Sequence, residues 1–314
     1  MTMKIIRNIA DIPIDRESAV TVGTFDGVHL GHQSILNRLF QLAGQHGYRS
    51  TIVTFEPHPR KVLGKPGNTS LGLLTTIEEK LNLFEKLGLE QIVIIPFTRE
   101  FAAKSAEEFV KEILLDRLRV QEMVIGHDHH FGRNREGTFE KLKELGRKYG
   151  FRVHQVPPLE IDGQVVSSSA IRKLISEGQM ELVHKFLGRK YSLSGTVVHG
   201  DGRGKEIGFP TANLQVTDSD KMIPAKGVYA VDVQLHSQIY RGMMNIGVRP
   251  TFDHDSLTLE VHLFNFNASI YGEPLTVTFK QYIRPEKKFP GIAALREQLQ
   301  QDKVICERLD MEEK

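Results

Sequence analysis

Gly23-Thr24-Phe25-Asp26-Gly27-Val28-His29-Leu30-Gly31-His32 decides how the first half of this chain folds. Val20 and Val22 precede it as the end of a strand, while Ile35, Leu36, Leu39, Phe40 and Ala43 follow at helical spacing. The segment therefore reads as a strand, a glycine-rich turn and a helix that His32 opens. Free backbone N–H groups and the positive end of the helix dipole make such a turn an anion site. Gly23, Gly27 and Gly31 let a phosphate approach the backbone closely. His29 and His32 then face one ligand and donate hydrogen bonds to phosphoryl oxygens, an arrangement suited to stabilising charge during phosphoryl or nucleotidyl transfer. An isolated pair of histidines at this spacing is more often solvated or capping. The glycines between strand and helix favour the binding role.

The rest of the composition is that of an ordinary globular protein. A length of 314 residues is long for one core and implies two domains. Apolar residues make up 40% and charged residues 25%, and the net charge of +2 gives no reason to expect a nucleic-acid or membrane surface. The single cysteine, Cys306, has no partner for an intramolecular disulfide and no catalytic surroundings in the sequence. No charged-then-apolar leader opens the chain, and runs such as Ile92-Val93-Ile94-Ile95 are far too short to span a bilayer. A cytoplasmic location is expected.

Strand-like runs at 50–55, 91–95, 121–125 and 151–156 alternate with helical patterns. Two of the helices start with capping boxes, Thr76-Ile77-Glu78-Glu79 and Ser105-Ala106-Glu107-Glu108. This alternation predicts an α/β domain with a Rossmann-like parallel sheet, binding ligands at the carboxyl ends of its strands, with the histidine turn as its first βα turn. From about 188 the pattern changes to short strands near 191–198, 227–235, 239–246, 257–264 and 274–281 and a last helix near 290–301. That half predicts a small antiparallel β-barrel with a C-terminal helix. The helical stretch 168–187 closes the first domain, giving domains 1–186 and 187–314.

Further clusters carry chemistry. Pro57-His58-Pro59 ends a strand and holds His58 at the ligand edge of the sheet. Gly126-His127-Asp128-His129-His130-Phe131-Gly132 follows another strand. Its histidines and aspartate invite a metal reading, but adjacent residues rarely converge on one ion without helical or hairpin spacing, and no tightly bound transition metal is expected. Ser167-Ser168-Ser169 open a helix as caps, and the same end binds phosphate when Arg172 faces it. In the second half, Gly200 to Gly208 is glycine-rich and basic without being a P-loop or a dinucleotide fingerprint. Thr211 and Asn213, two residues apart, share one face of a strand and offer hard oxygen donors of the sort Mg²⁺ accepts. Glu260 alternates with Leu259, Val261 and Leu263, so its carboxylate lies on the other strand face, where it can take the proton of an attacking hydroxyl.

The histidine segment resembles the Gly-x-Phe-Asp-Gly-Val-His-x-Gly-His-Gln form of bacterial FAD synthetases, and Ser167 to Arg172 resembles the Ser-Ser-Thr-x-Ile-Arg motif of nucleotidyltransferases, with Ser169 in place of threonine. Pro210-Thr211-Ala212-Asn213 is similar to the motif of riboflavin kinases, and Gly227-Val228-Tyr229, Asn245-Ile246-Gly247, Leu259 to Phe264 and Arg284-Pro285-Glu286 match it further. The resemblance implies a bifunctional riboflavin kinase and FMN adenylyltransferase. ATP phosphorylates riboflavin to FMN in the C-terminal domain, and a second ATP adenylylates FMN to FAD in the N-terminal one. It further implies catalytic roles for His29, His32, Arg172 and Glu260. ATP or its phosphates fall to Gly23, Phe25, Gly31, Ser168 and Ser169 in one domain and to Gly202, Arg203, Gly204, Lys205, Gly208 and Pro210 in the other. The flavin falls to His58, Pro59, Asp128, Phe131, Gly132 and Arg284, and Mg²⁺ to Thr211 and Asn213. His129 and His130 depart from the Asp-Phe-x-Phe-Gly pattern of related enzymes. The partners implied are small molecules, with no nucleic acid, membrane or obligatory protein partner. Two rivals are an adenylyltransferase for another phosphate-bearing cofactor precursor and a non-catalytic flavin-binding module.

Overall fold

In a computed structural model of the chain, the residues described are 2–64, 71–128, 131–133, 136–200, 202–250 and 255–309. They fall into two compact units, Met1–Ser168 and Ser169–Lys314.

The first unit is built on a parallel sheet of β1 (Lys4–Ile6), β2 (Ser18–Val22), β3 (Arg49–Glu56), β4 (Gln91–Pro96), β5 (Val120–Gly126) and β6 (Arg152–Val156), in the order β1-β4-β3-β2-β5-β6. Alternate residues of these strands point to opposite faces and each face is covered. One core gathers Val20, Val53, Val93 and Met123 with Phe109, Leu142 and Leu145. The other gathers Ala19, Ile52, Ile92 and Val124 with Leu36 and Leu39 of α1 (Leu30–His46) and Phe84. Helices α2 (Pro59–Leu63), α3 (Ile77–Lys86), α4 (Arg99–Ala102), α5 (Ala106–Phe109) and α6 (Phe139–Tyr149) complete the covering, and a small hairpin joins β7 (Glu160–Ile161) to β8 (Gln164–Val165). Both expected capping boxes form, Thr76 with Glu79 and Ser105 with Glu108. After Phe109, however, the expected α-helix widens into a π-helical turn over Val110–Leu115, which buries Val110, Ile113 and Leu114 together. The histidine turn follows the second strand rather than the first, because the short edge strand β1 precedes it. Strand order reverses at β2, which lies between β3 and β5, so the chain diverges on either side of it and leaves a crevice at the carboxyl ends.

The second unit begins with α7 (Ser168–Ser176) and α8 (Met180–Leu187), separated at Gly178, where φ is +73°, so the expected stretch 168–187 is two helices. A closed antiparallel barrel follows: β9 (Ser192–Val198), β10 (Ala212–Val216), β11 (Gly227–Leu235), β12 (Gln238–Pro250), β13 (Asp255–Leu263) and β14 (Pro274–Arg284), with the short α9 (Arg203–Glu206) between β9 and β10. Strand β10 is additional to the five runs the hydrophobic pattern marks. Compactness divides the chain earlier than 186, since α8 packs on β14 and the Ala225 N–H donates to the Ile175 carbonyl at 3.1 Å. Tyr229, Met244, Val261 and Val277 point inward and are fully buried. On the outer face, Val228, Ala230, Met243 and Phe264 form a second core with Cys306 of α10 (Ile292–Arg308). Burial pushes the Cys306 thiol up to about 12, so it stays protonated and inert.

Helix α10 is tied to the barrel by a forked ion pair. Arg284 Nε and Nη2 donate to the fully buried Asp302 carboxylate at 2.9 and 2.6 Å, and Gln298 donates to it at 2.9 Å. Removing one partner of such a pair leaves a buried charge uncompensated. Asp302→Ala is therefore expected to lower the stability of the second unit by about 3–5 kcal/mol, measured by urea denaturation.

Candidate functional site

Three of the sequence motifs emerge side by side at the carboxyl ends of β3, β2 and β5, the neighbouring strands at the switch point: Pro57-His58-Pro59, the histidine turn, and Gly126 to Gly132. The turn after β2 is strained. Phe25, Gly27 and Val28 have φ of +48°, +89° and +41°, and for the two non-glycine residues the left-handed region costs on the order of 1–2 kcal/mol each. Side chains from other elements hold it. The buried Asp26 carboxylate accepts the Leu74 N–H at 2.9 Å and the Thr75 N–H at 3.0 Å. Thr75 Oγ1 accepts the Gly27 N–H at 2.9 Å. Lys80 Nζ donates to the Thr24 carbonyl at 2.7 Å, and Ser168 Oγ to the Asp26 carbonyl at 2.9 Å.

Helix α1 begins two residues earlier than the spacing suggests. Its N-cap is His29, whose Nδ1 accepts the His32 N–H at 3.2 Å, so neutral His29 carries its proton on Nε2. The His29 and His32 rings stack at 3.6 Å between centroids, and Phe25 meets His32 edge-on at 5.1 Å. The cap thus fixes the His29 tautomer, with its proton on Nε2. Gly31 leaves little room for a side chain, since a Cβ there would lie 3.0 Å from the Val166 carbonyl and 3.1 Å from His29 Nδ1. Gly23 donates its N–H to the Val53 carbonyl at 3.0 Å, anchoring the turn's start to β3. Among the described residues, the N–H groups of Thr24, Phe25, Leu30 and Gly31 have no protein partner, which is the donor set an anion needs. Burial, with His29 and Lys80 nearby, holds His32 well below the ordinary histidine pKa, so it is neutral at pH 7.

Around the turn, His58 caps α2, its Nδ1 accepting the Arg60 N–H at 3.1 Å, with Pro59 as the first helical residue. Asp128 is exposed at the end of β5. Phe131 packs on Phe109 at 5.2 Å, and Gly132, with φ of +74°, lies against the Ala106 backbone. His129 and His130 lie outside the described residues, among which no cluster of three or more His, Cys, Asp or Glu is arranged to hold a metal. Ser169 and Arg172 follow on α7 within the second unit.

A second site forms on the outer face of the barrel. Asn213 of β10 and Asn245 of β12 are the register partners of Glu260 of β13 on either side, so the three side chains form one row. Of the glycines in the preceding loop, Gly200 presses against this row and Gly204 against the neighbouring Thr211. A Cβ on Gly200 would fall 2.0 Å from the Asn213 amide nitrogen, and one on Gly204 would fall 3.3 Å from Thr211 Oγ1. Backbone thus lies close against the Thr211 hydroxyl and the Asn213 amide, whose oxygens are hard donors of the kind that suit a magnesium ion. Gly202 starts α9 with φ of +73°, Lys205 donates its N–H to the Gly202 carbonyl at 3.0 Å, and Gly208 has φ of +84°. Arg203 lies within α9. The Pro210 carbonyl accepts from His262 Nδ1 at 2.7 Å, and burial lowers the pKa of that histidine, leaving it a neutral donor. Arg284, by contrast, has its guanidinium committed to Asp302 and to the Pro285 carbonyl.

Sequence reasoning assigned no role to Asp26, Thr75, Lys80, Asn245 or His262. Only the hydrogen bonds across the fold give them work. Together the fold and the two sites define a nucleotidyltransferase-type α/β unit joined to a phosphotransferase barrel. Residues 11–170 match the FAD synthetase family and residues 187–309 the riboflavin kinase family. Bifunctional riboflavin kinase/FMN adenylyltransferases from Buchnera aphidicola of Schizaphis graminum and from Bacillus subtilis are 37% and 38% identical, covering 98% and 91% of this chain and 98% and 90% of theirs. The crystal structure of a macrolide-efflux protein from Streptococcus pneumoniae has a TM-score of 0.89 at 32% identity, covering 98% of this chain and 99% of that one. Among the described residues of this chain no helix is long and apolar enough to cross a membrane.

The chain belongs to the family of bifunctional riboflavin kinase/FMN adenylyltransferases. Its C-terminal part phosphorylates riboflavin and its N-terminal part adenylylates FMN, with riboflavin, FMN, FAD and ATP as substrates and products.

The neutral His32 carries a pH signature. Its pKa is lower folded than unfolded, so below about pH 6.5 the unfolded chain binds the extra proton and folding loses free energy as pH falls. Denaturant midpoints of the first unit's transition should drop between pH 7.5 and 5.5, and His32→Gln should flatten that drop.

Proposed function

We propose that the adenylyl transfer is carried by the turn around His29 and His32 and the phosphoryl transfer by the outer-face row of the barrel, with functional domains 1–186 and 187–314. The limits of the two family matches support that division, since they leave α7 and α8 largely between them. In the N-terminal reaction an FMN phosphate oxygen attacks the α-phosphorus of ATP and pyrophosphate leaves. The attacking oxygen is already anionic, so positioning and neutralisation supply the catalysis. The N–H groups of the turn, with Gly23, Phe25 and Gly31 in it, cradle phosphate, His29 Nε2 donates to it, and Ser168, Ser169 and Arg172 bind the leaving group. His58, Pro59, Asp128, Phe131 and Gly132 seat the flavin.

In the C-terminal reaction the terminal ribityl hydroxyl of riboflavin attacks the γ-phosphorus and ADP leaves. Glu260 takes the hydroxyl proton, Gly202, Arg203, Gly204, Lys205, Gly208 and Pro210 form the loop over the phosphates, and the Arg284–Asp302 pair fixes the flavin edge against α10. Thr211 and Asn213 would hold Mg²⁺, which when bound neutralises charge on the transferring phosphoryl group. The register of Asn213, Glu260 and Asn245 beside the glycine cradle is the observation that carries this reading. Cytoplasmic work on small molecules alone, with no nucleic-acid, membrane or obligatory protein partner, completes the proposal.

Replacing His29 and His32 together by Ala is expected to abolish FAD formation while FMN accumulates from riboflavin and Mg-ATP, read by chromatography. Comparable loss of both activities in a folded variant would count against separate sites. In the kinase half, Glu260→Gln should depress riboflavin turnover by on the order of 10²–10⁴-fold with Mg-ATP affinity nearly unchanged. Thr211→Ala should instead raise the magnesium needed for half activity, with partial recovery at high metal. FAD synthesis from supplied FMN should survive both changes.

A further inference from the structure

Lys80 sits on α3 with 4% of its surface exposed, an unusual place for a lysine. Among the described residues its ammonium makes one hydrogen bond, to the Thr24 carbonyl at 2.7 Å. Its charge neighbours are Asp26 and Glu56. Burial without a carboxylate in contact is a poor way to stabilise a fold, since the desolvated cation gains one neutral hydrogen bond. What the contact does accomplish is orientation. In a trans peptide the carbonyl and the following N–H point in opposite directions. Drawing the Thr24 carbonyl inward to Lys80 therefore turns the Phe25 N–H outward, and that N–H is one of the donors without a protein partner. The peptide lies directly before a residue with φ of +48°, a conformation it would not hold unaided.

We propose that Lys80 is a positioning residue for FMN adenylylation: by gripping the Thr24 carbonyl from beneath the turn, it aims the Phe25 N–H at the phosphates of ATP and adds positive potential behind them. The proposal rests on the reading of the histidine turn as the adenylyl-transfer site.

Lys80→Met keeps the length and removes both donor and charge. Steady-state adenylylation of supplied FMN should show kcat/KM for ATP reduced by about 10²-fold, with the KM for ATP raised at least about tenfold and the KM for FMN within about twofold of wild type. Riboflavin phosphorylation by the same preparation should be unchanged. A merely structural role predicts otherwise, because a partly unfolded preparation lowers the apparent kcat and leaves both KM values alone. An unchanged KM for ATP, or an equal rise for both substrates, would overturn the inference. Should Lys80→Met fail to fold, Lys80→Gln, which keeps a shorter neutral donor, should show the same selective rise in the KM for ATP, and its absence would be equally decisive. The double His29 and His32 variant is measured in parallel. FAD synthesis retained there removes the site reading itself, whereas loss there with wild-type kinetics in Lys80→Met removes only the role of Lys80.

Discussion

The buried carboxylate of Asp26 is the interaction on which the nucleotide end of the first unit depends. It accepts two consecutive backbone N–H groups from Leu74 and Thr75, immediately before the capping box that starts α3. One side chain therefore links the turn after β2 to the helix that covers the neighbouring strands. A turn with two non-glycine residues in the left-handed region stores strain that local sequence cannot relieve. Asp26, Thr75, Lys80 and Ser168 offset it together, each binding a different atom of the turn or its anchor. The result is a set of N–H donors already aimed before a ligand arrives, so little reorganisation is left to do.

The barrel shapes its glycine-rich loop by different means. There is no long helix dipole at its loop, and α9 is a single turn. Instead a glycine-rich loop closes on Asn213 of β10 and on Thr211 just before it, and the sheet register sets three polar groups in a row. Antiparallel pairing makes that row rigid, because Glu260 cannot shift along β13 without breaking its ladders to both neighbours. On the same outer face α10 buries an apolar patch and is held by the Arg284–Asp302 fork. The face that carries the Asn213, Glu260 and Asn245 row is thus also the face on which the last helix packs.

The two halves divide the labour of charge. In the first, the imidazole of His32 is held neutral by burial, and backbone N–H groups of the turn are the donors without a protein partner among the described residues. In the second, the proposed reaction calls for a carboxylate as proton acceptor because its nucleophile is a neutral hydroxyl that must lose its proton, which a phosphate nucleophile does not. The difference between the residues proposed for the two reactions follows from the nucleophiles of those reactions.

Much of this was legible in the sequence. Alternation of buried strands and capped helices determined the parallel sheet, short alternating runs determined the barrel, and glycine spacing marked both phosphate loops, because these are local consequences of period, propensity and backbone freedom. The β10 strand was harder to see, being five residues that follow an irregular loop and carry Asn213 and Gln215 between Ala212, Leu214 and Val216 rather than an apolar run. The widening of α5 into a π-turn was invisible, since it answers to the packing of Val110, Ile113 and Leu114 against a sheet that the segment does not contain. Lys80 shows the limit most clearly. On a helix whose neighbours are charged it reads as a solvated residue, and only the approach of a turn fifty-six positions away, with a carbonyl to be held, makes it a buried donor. Local sequence determines which backbone shapes are affordable to a segment. Which strained shape persists is decided by groups distant in the chain, because the hydrogen bonds that offset the strain exist only once the sheet has brought them together.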